Sequence, residues 1–292
     1  MLIIGTGLSG LVGSRVRELL ADKFDFVDFS LDTGIDITNQ AVLKDAFSKH
    51  QKADVVLHLT AFTDVDKAWK QRGDKEGLCY QVNVIGTRNI AQLCAQYKQY
   101  LIHISTDFVF DGRNSSSGGY TEEDVPYPIE WYGETKYLAE KEVEKSGAKY
   151  CIARIAFPFR AKFDNKLDLV RKIIKGFQEN SLAPMFVDQI VTPTFVDDIA
   201  FALTSLINRT GQGIYHLVGS TALSPYELAI QIAEVFGFDK GRVKKGTLEE
   251  YAKKTGRPRQ KNLFLSNKKI LQLGVEMKTL KEALETMRSQ LH

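Results

Sequence analysis

The sequence predicts an α/β fold: a doubly wound parallel sheet with a smaller C-terminal lobe. Three observations predict it. Short apolar runs alternate with amphipathic helical stretches through the first half of the chain. Within those runs consecutive positions are apolar, so both faces of each strand need cover. A turn spaced with glycines joins the first run to the first helix.

The strand-like runs are residues 2–4, 24–29, 54–59, 100–104 and 150–155. Between them the spacing predicts helices over 9–20, 41–50, 84–97 and 132–145; the first carries Leu11, Val12, Val16, Leu19 and Leu20 on one face. Right-handed crossovers then wind helices onto both faces of the sheet. Residues 113–128 hold Asn114, Ser115, Ser116, Ser117, Gly118, Gly119, Pro126 and Pro128, and read as a loop. After residue 155 the rhythm weakens to helices over 167–177, 194–206 and 225–236 and a strand over 213–218, as for a smaller lobe at the carboxyl ends of the strands.

Composition narrows the class. The chain has 292 residues, 43% of them hydrophobic and 26% charged, which suits a large core and argues against disorder. The net charge is +3, and the densest basic run, 253–261, lacks a nucleic-acid motif, so it reads as solvated surface and no nucleic-acid partner is expected. No stretch approaches the roughly 20 apolar residues of a membrane span, and no signal-peptide pattern opens the chain. Cys79, Cys94 and Cys151 are odd in number and lack metal-ligand spacing, so they read as buried thiols in a reducing, cytoplasmic setting. His58 and His103 lie in apolar strands and read as core residues, and no catalytic metal is expected.

The first run leads into Gly5-Thr6-Gly7-Leu8-Ser9-Gly10-Leu11-Val12-Gly13. Gly7, Gly10 and Gly13 allow a sharp turn, a close approach of a pyrophosphate to the backbone and tight packing of helix on strand. The helix N-terminus adds free N–H groups and a positive dipole end. A strand before and a helix after make this a Rossmann-type dinucleotide site. Residues 1–158, with a return near 190–210, are the expected dinucleotide-binding domain, and 159–292 mainly the substrate lobe. Asp28 stands near the place of a ribose-binding acid but inside an alternating run, and no arginine stands there for a 2′-phosphate, so NAD and NADP both remain open. Asp36-Ile37 is the better candidate for the adenine, with a plain helix-approach role as its alternative.

Tyr132 and Lys136, four apart, share one helix face. A phenol of ordinary pKa near about 10 is a poor proton-transfer group at neutral pH. A neighbouring ammonium favours phenolate and brings that pKa toward the working range, and it can also hold a ribose. Thr106, at the carboxyl end of the run over 100–104, faces the crevice where such sheets bind ligands and can orient a carbonyl toward Tyr132; ordinary strand-end capping is its alternative.

Together these pieces resemble the extended short-chain dehydrogenase/reductase family, and within it the dTDP-4-dehydrorhamnose reductases. The resemblance spans Asp36-Ile37-Thr38, Thr60-Ala61-Phe62-Thr63-Asp64-Val65-Asp66-Lys67-Ala68, Val82-Asn83-Val84, Ser105-Thr106-Asp107-Phe108-Val109-Phe110-Asp111-Gly112, Tyr132-Gly133-Glu134-Thr135-Lys136, Asp188-Gln189 with Thr192-Pro193-Thr194, and Arg257-Pro258-Arg259. It implies Tyr132 as proton donor, Lys136 as its electrostatic partner and ribose ligand, and Thr106 as third catalytic residue. It implies a cofactor, NADP or NAD, lined by Gly7, Gly10, Leu11, Val12, Gly13, Asp36, Ile37, Ala61, Phe62, Thr63, Tyr132 and Lys136. A sugar nucleotide would lie against Thr106, Asp107 and Phe157, the last standing where the family often has a tryptophan. The implied reaction is reduction of the C4 keto group of a nucleotide-linked 4-keto-6-deoxy sugar for cell-surface polysaccharide. A sugar-nucleotide epimerase and a non-catalytic regulatory subunit like that of methionine adenosyltransferase are the alternatives. Dehydration is disfavoured because Phe108, not a glutamate, follows Asp107. A homodimer is left open.

Overall fold

Strands that are apolar on both faces demand helices above and below, and the computed structural model, which describes residues 1–113 and 117–291, has them. The chain runs β1 (Leu2–Thr6), α1 (Leu11–Leu20), β2 (Asp25–Phe29), α2 (Gln40–Lys49), β3 (Val55–His58) and α3 (Val65–Lys70). Next comes α4 (Leu78–Tyr80), continued by a π-helical segment (Gln81–Gly86) into α5 (Thr87–Tyr97), then β4 (Tyr100–Thr106), α6 (Trp131–Lys145) and β5 (Tyr150–Ile155). The remainder comprises β6 (Pro158–Phe159), α7 (Leu169–Gln178), β7 (Met185–Phe186), β8 (Thr194–Phe195), α8 (Val196–Arg209), β9 (Gly213–His216), α9 (Pro225–Phe236), β10 (Lys245–Gly246), α10 (Leu248–Thr255), α11 (Lys268–Leu271) and α12 (Leu280–Ser289).

The main sheet has six parallel strands in the order β2-β1-β3-β4-β5-β9. The winding reverses between β1 and β3, and the crevice beyond their carboxyl ends is where such sheets take ligands. Neighbouring residues on each strand point to opposite layers. Ile3, Leu57, Ile102 and Ala153 pack with Val16 and Leu20 of α1 and with Ile199, Leu203 and Leu206 of α8. Ile4, Val56, Leu101 and Ile152 pack on the other face with Phe47 of α2, Ile90 of α5 and Val143 of α6. Each of the larger side chains, Val, Leu, Ile or Phe, contributes about 1.5–3 kcal/mol when fully buried.

A separate apolar core lies in the later part of the chain, where Phe159, Val170, Ile173, Phe177, Phe195, Leu228, Ile232 and Leu284 meet. The short parallel pairs β6–β8 and β7–β10 belong to this region. The chain nevertheless re-enters the first core through α8 and adds β9 as the last strand of the main sheet.

Several boundaries differ from the sequence expectation. The helix expected from residue 9 starts at Leu11, because Gly7 to Gly10 form the turn before it. The helix expected over 84–97 starts at Leu78; Gly77, Gly86 and the β-branched residues between them concealed its first turns. The helix expected over 194–206 opens with β8 instead. Of the loop over 113–128, residues 114–116 lie outside the described residues. Among the described residues, no helix is long and apolar enough to cross a membrane.

Candidate active site

The glycine turn is built as the spacing predicts. Gly7 has φ +69°, and a Cβ there would lie 2.8 Å from the Thr60 backbone nitrogen. A Cβ on Gly13 would lie 2.3 Å from the Gly7 carbonyl oxygen. Helix α1 opens at Gly10 with no side chain capping it and no acidic residue in its first turn. By contrast, Asn39, Glu130, Asp168, Ser224 and Thr279 cap α2, α6, α7, α9 and α12. The first-turn N–H groups at Leu11, Val12 and Gly13 are therefore left for an anion, and this cradle suits a dinucleotide pyrophosphate.

From that turn one stretch of backbone runs to the Tyr132–Lys136 helix. Leu59 N–H donates to the Thr6 carbonyl (3.1 Å) and Thr60 N–H to the Thr6 hydroxyl (3.2 Å). Two residues on, Asn83 accepts from Phe62 N–H (2.7 Å) and donates to the Phe62 carbonyl (3.3 Å). The same amide donates to the Thr135 hydroxyl (2.9 Å), which lies between Tyr132 and Lys136 on α6. Phe62 also packs in one apolar cluster with Trp131 and Tyr132. Ala61 and Thr63 flank Phe62, and Lys166 donates to the Thr63 hydroxyl (3.1 Å). Asn83 sits in the π-helical segment, a distortion that often marks functional sites. Its motif was legible in the sequence, but its clamp on Phe62 was not.

Glu130 caps α6, accepting from the N–H groups of Tyr132 (3.1 Å) and Gly133 (2.7 Å). This fixes the first turn and aims Tyr132 toward Thr106. Burial pushes the Tyr132 phenol well above its ordinary pKa, hydrogen bonding with Thr106 pulls the other way, and Asp107 and Glu130 add to the rise. The lowered phenol pKa expected from the sequence is thus reversed in the protein alone, since burial outweighs the Thr106 hydrogen bond. Lys136 is 2% exposed and donates to the Ile104 carbonyl (2.7 Å), with His103 Nε2 at 3.3 Å. Burial pulls its ammonium down to about 8, against Glu140 and Cys79, which raise it.

Thr106 accepts from Phe108 N–H (3.3 Å) and donates to Asp107 Oδ1 (2.9 Å). It therefore does cap the short helical turn after β4 while also facing Tyr132. Asp107 is buried, its Oδ2 has no hydrogen-bond partner among the described residues, and burial raises its carboxyl to about 7. Phe108 joins the edge of Tyr132 (5.7 Å between ring centres) to Phe157 (6.1 Å). Phe157 has φ +40°, a backbone strain that a side chain of this size rarely takes and that recurs at ligand sites.

The structure assigns local roles to other predicted residues. Asp36 Oδ1 accepts from the Thr38 N–H and hydroxyl, both 2.8 Å, in a tight turn, which is its helix-approach alternative. The Ile37 carbonyl accepts from Asn89 (3.0 Å). Asp28 lies 3.7 Å from Arg17. The run 253–261 is not uniformly solvated: Arg257 is buried, pairs with Asp66 at 3.0 Å and donates to the Tyr251 hydroxyl, and Arg259 stacks 4.3 Å over Tyr251. All three cysteines are buried and free. His58 and His103 are fully buried. Among the described residues, no group of three or more His, Cys, Asp or Glu is placed to hold a metal ion.

Comparison with known proteins places this geometry. The family model for the RmlD substrate binding domain matches residues 1–292. A dTDP-4-dehydrorhamnose reductase of Aggregatibacter actinomycetemcomitans is 30% identical over 234 residues, covering 78% of this chain and 76% of that one. Methionine adenosyltransferase 2 subunit beta of Rattus norvegicus is 28% identical over 289 residues, covering 95% and 84%. The crystal structure of dTDP-4-dehydrorhamnose reductase from Bacillus anthracis in complex with NADP superposes with a TM-score of 0.89 at 29% identity, covering 99% of each chain. The chain belongs to the RmlD substrate-binding-domain family of the extended short-chain dehydrogenases/reductases.

Proposed function

We propose that this protein reduces the C4 keto group of a nucleotide-linked 4-keto-6-deoxy sugar, using NADPH or NADH. One observation carries the reading: residues 59–63 run unbroken from the glycine turn to the Tyr132–Lys136 helix, so a dinucleotide lying along them would have its phosphates at one end and its redox ring at the other. Gly7, Gly10, Leu11, Val12 and Gly13 would hold the pyrophosphate. Ala61, Phe62 and Thr63 would line the ribose and ring, and Asp36-Ile37 the adenine end. The reduced nicotinamide supplies a hydride when bound.

The chain's own groups do the rest. Tyr132 keeps its proton at neutral pH, the state a donor to a developing alkoxide needs, because burial holds the phenol high. Thr106 orients the keto oxygen toward it. Lys136 holds the nicotinamide ribose and places positive charge beside the phenolate left after proton transfer. Asp107 and Phe157 meet the sugar, the first through its unpartnered oxygen and the second through an apolar face. In the same reading, residues 1–158 with the return near 190–210 bind the dinucleotide and 159–292 mainly bind substrate. The reading takes the setting to be the cytoplasm and leaves a homodimer open.

Tyr132→Phe tests the reading. With NADPH and dTDP-4-dehydrorhamnose, turnover should fall roughly 10²–10⁴-fold, while the Kd for NADPH should hold within about threefold. The likeness to the methionine adenosyltransferase subunit favours a second reading, a dinucleotide-binding subunit of another enzyme. Wild-type protein without turnover on a panel of nucleotide-linked 4-keto sugars would support that reading and sink the first. Tight retention of the nucleotide through purification, without exchange against free NADPH, would point instead to an epimerase.

A further inference from the structure

We infer that His103 is the residue that positions Lys136, accepting one of its N–H bonds so that the ammonium presents a fixed third donor to the ligand. The inference rests on the role proposed for Lys136. An ammonium has three donors. One goes to the Ile104 carbonyl at 2.7 Å and one lies 3.3 Å from His103 Nε2, and both partners sit on β4, the strand that ends at Thr106. Two contacts to one strand set the rotation of the ammonium group and leave one donor over.

The neighbouring histidine shows what a purely structural imidazole does here. His58, whose ring centre is 5.2 Å from that of His103, uses both nitrogens: Nδ1 meets the Thr6 hydroxyl at 2.7 Å and Nε2 the Thr87 hydroxyl at 2.9 Å. His103 is equally buried, yet its Nδ1 has no partner among the described residues. An ammonium can only donate, so Nε2 must accept and the proton must sit on Nδ1. Among the described residues the Nδ1 proton then has no partner, a cost that accompanies an acceptor nitrogen facing Lys136. Burial first, then Lys136 and His58, hold His103 far below its ordinary pKa, so the ring stays neutral and keeps that acceptor.

The groups around Lys136 and Tyr132 are Tyr132 and Glu140 on α6, Cys79 on α4, His58 at the end of β3, and Asp107 and Glu130 beside the phenol. Beside the Ile104 carbonyl, His103 supplies the one side-chain acceptor that meets the ammonium among the described residues. Without it the charged form of Lys136 loses a hydrogen bond, and the ammonium should deprotonate at lower pH.

The test compares His103→Leu with His103→Gln, whose side-chain oxygen can accept in place of Nε2. NADPH oxidation with dTDP-4-dehydrorhamnose is followed from pH 6 to 10, and folding is checked by thermal melting. His103→Leu should lower kcat roughly tenfold and move the alkaline limb of kcat/KM to lower pH by about half a unit or more. His103→Gln should restore both to within about threefold. A His103→Leu profile matching wild type, or a His103→Gln protein as impaired as His103→Leu, overturns the inference. Lys136→Met separates the two levels. If it keeps full turnover, the reading of the site falls and the inference with it; if it is inactive while His103→Leu is unchanged, only the positioning role falls. Should His103→Leu not fold, histidine ¹⁵N spectra of the wild-type protein decide: an unprotonated Nε2 supports the inference, and a protonated one overturns it.

Discussion

Removing Arg154 should destabilise the protein more than removing almost any other single polar side chain. Arg154 on β5 forks onto Glu140 of α6, with Nε to Oε1 at 2.9 Å and Nη2 to Oε2 at 2.7 Å, and both side chains are 1% exposed. Ser105 on β4 donates to the same Oε1, and Arg154 lies 5.1 Å over the Phe110 ring. Glu140 stands four residues beyond Lys136 and eight beyond Tyr132, so this cluster fixes the Tyr132–Lys136 face of α6 to two strands of the sheet. Arg154→Met leaves a buried carboxylate without its counter-charge, which costs about 3–5 kcal/mol. At roughly 2–4 °C per kcal/mol for a chain of this order of size, the melting temperature should fall on the order of 10 °C. A triple change, Ser105→Ala with Glu140→Met and Arg154→Met, removes donor, acceptor and charge together and should recover to within about 2 kcal/mol of wild type. The assay is urea unfolding of the single and triple variants at one pH. A single variant within about 1 kcal/mol of wild type, or a triple variant no more stable than the single one, would refute the argument that an orphaned charge drives the loss.

Other outcomes follow from the same geometry. Gly13→Ala places a methyl group 2.3 Å from the Gly7 carbonyl oxygen, and the turn can relieve it only by opening; about 1–3 kcal/mol of overpacking should appear in the melt, with at least a tenfold rise in the Kd for NADPH by fluorescence titration. Asn83→Leu removes both clamps on the Phe62 backbone; at about 1 kcal/mol each this predicts a roughly thirtyfold rise in the KM for NADPH, and an unchanged KM would sink the clamp. Lys136 titrates at about 8, so kcat/KM should decline as pH rises through that value and the ammonium is lost. Asp107 has a folded pKa of about 7, above its ordinary 3.8, so the folded state binds its proton the more tightly. Its burial therefore weakens folding above about pH 7, and that penalty fades as pH falls from 7 toward 4. Asp107→Asn should accordingly be the more stable protein at pH 8 and lose that advantage by pH 4, read as urea midpoints at the two values.

The sequence made the sheet legible because each central strand is apolar on both faces, a local property that survives whatever the strand packs against. Tyr132 with Lys136 was legible as well, since a spacing of four fixes a shared helix face. What local pattern could not carry is the junction between these parts. Asn83 reaches Phe62 and Thr135 across 21 and 52 residues of chain, and it does so from a π-helical segment bracketed by glycines that weaken the helical signal. Arg257 sits in a run that reads as surface, yet its guanidinium is buried against Asp66 and Tyr251, because pairing rather than composition decides whether a charge is buried. The phenol pKa was misjudged for a related reason. The spacing puts an ammonium four residues from Tyr132, but it cannot say that the ammonium turns to β4, toward Ile104 and His103, or that the phenol is desolvated beside two carboxyls. Burial then outweighs the Thr106 hydrogen bond and the proton stays on the oxygen. In the role proposed for Tyr132, giving its proton to a reduced carbonyl, a phenol held in its acid form until the substrate needs it is the more useful arrangement.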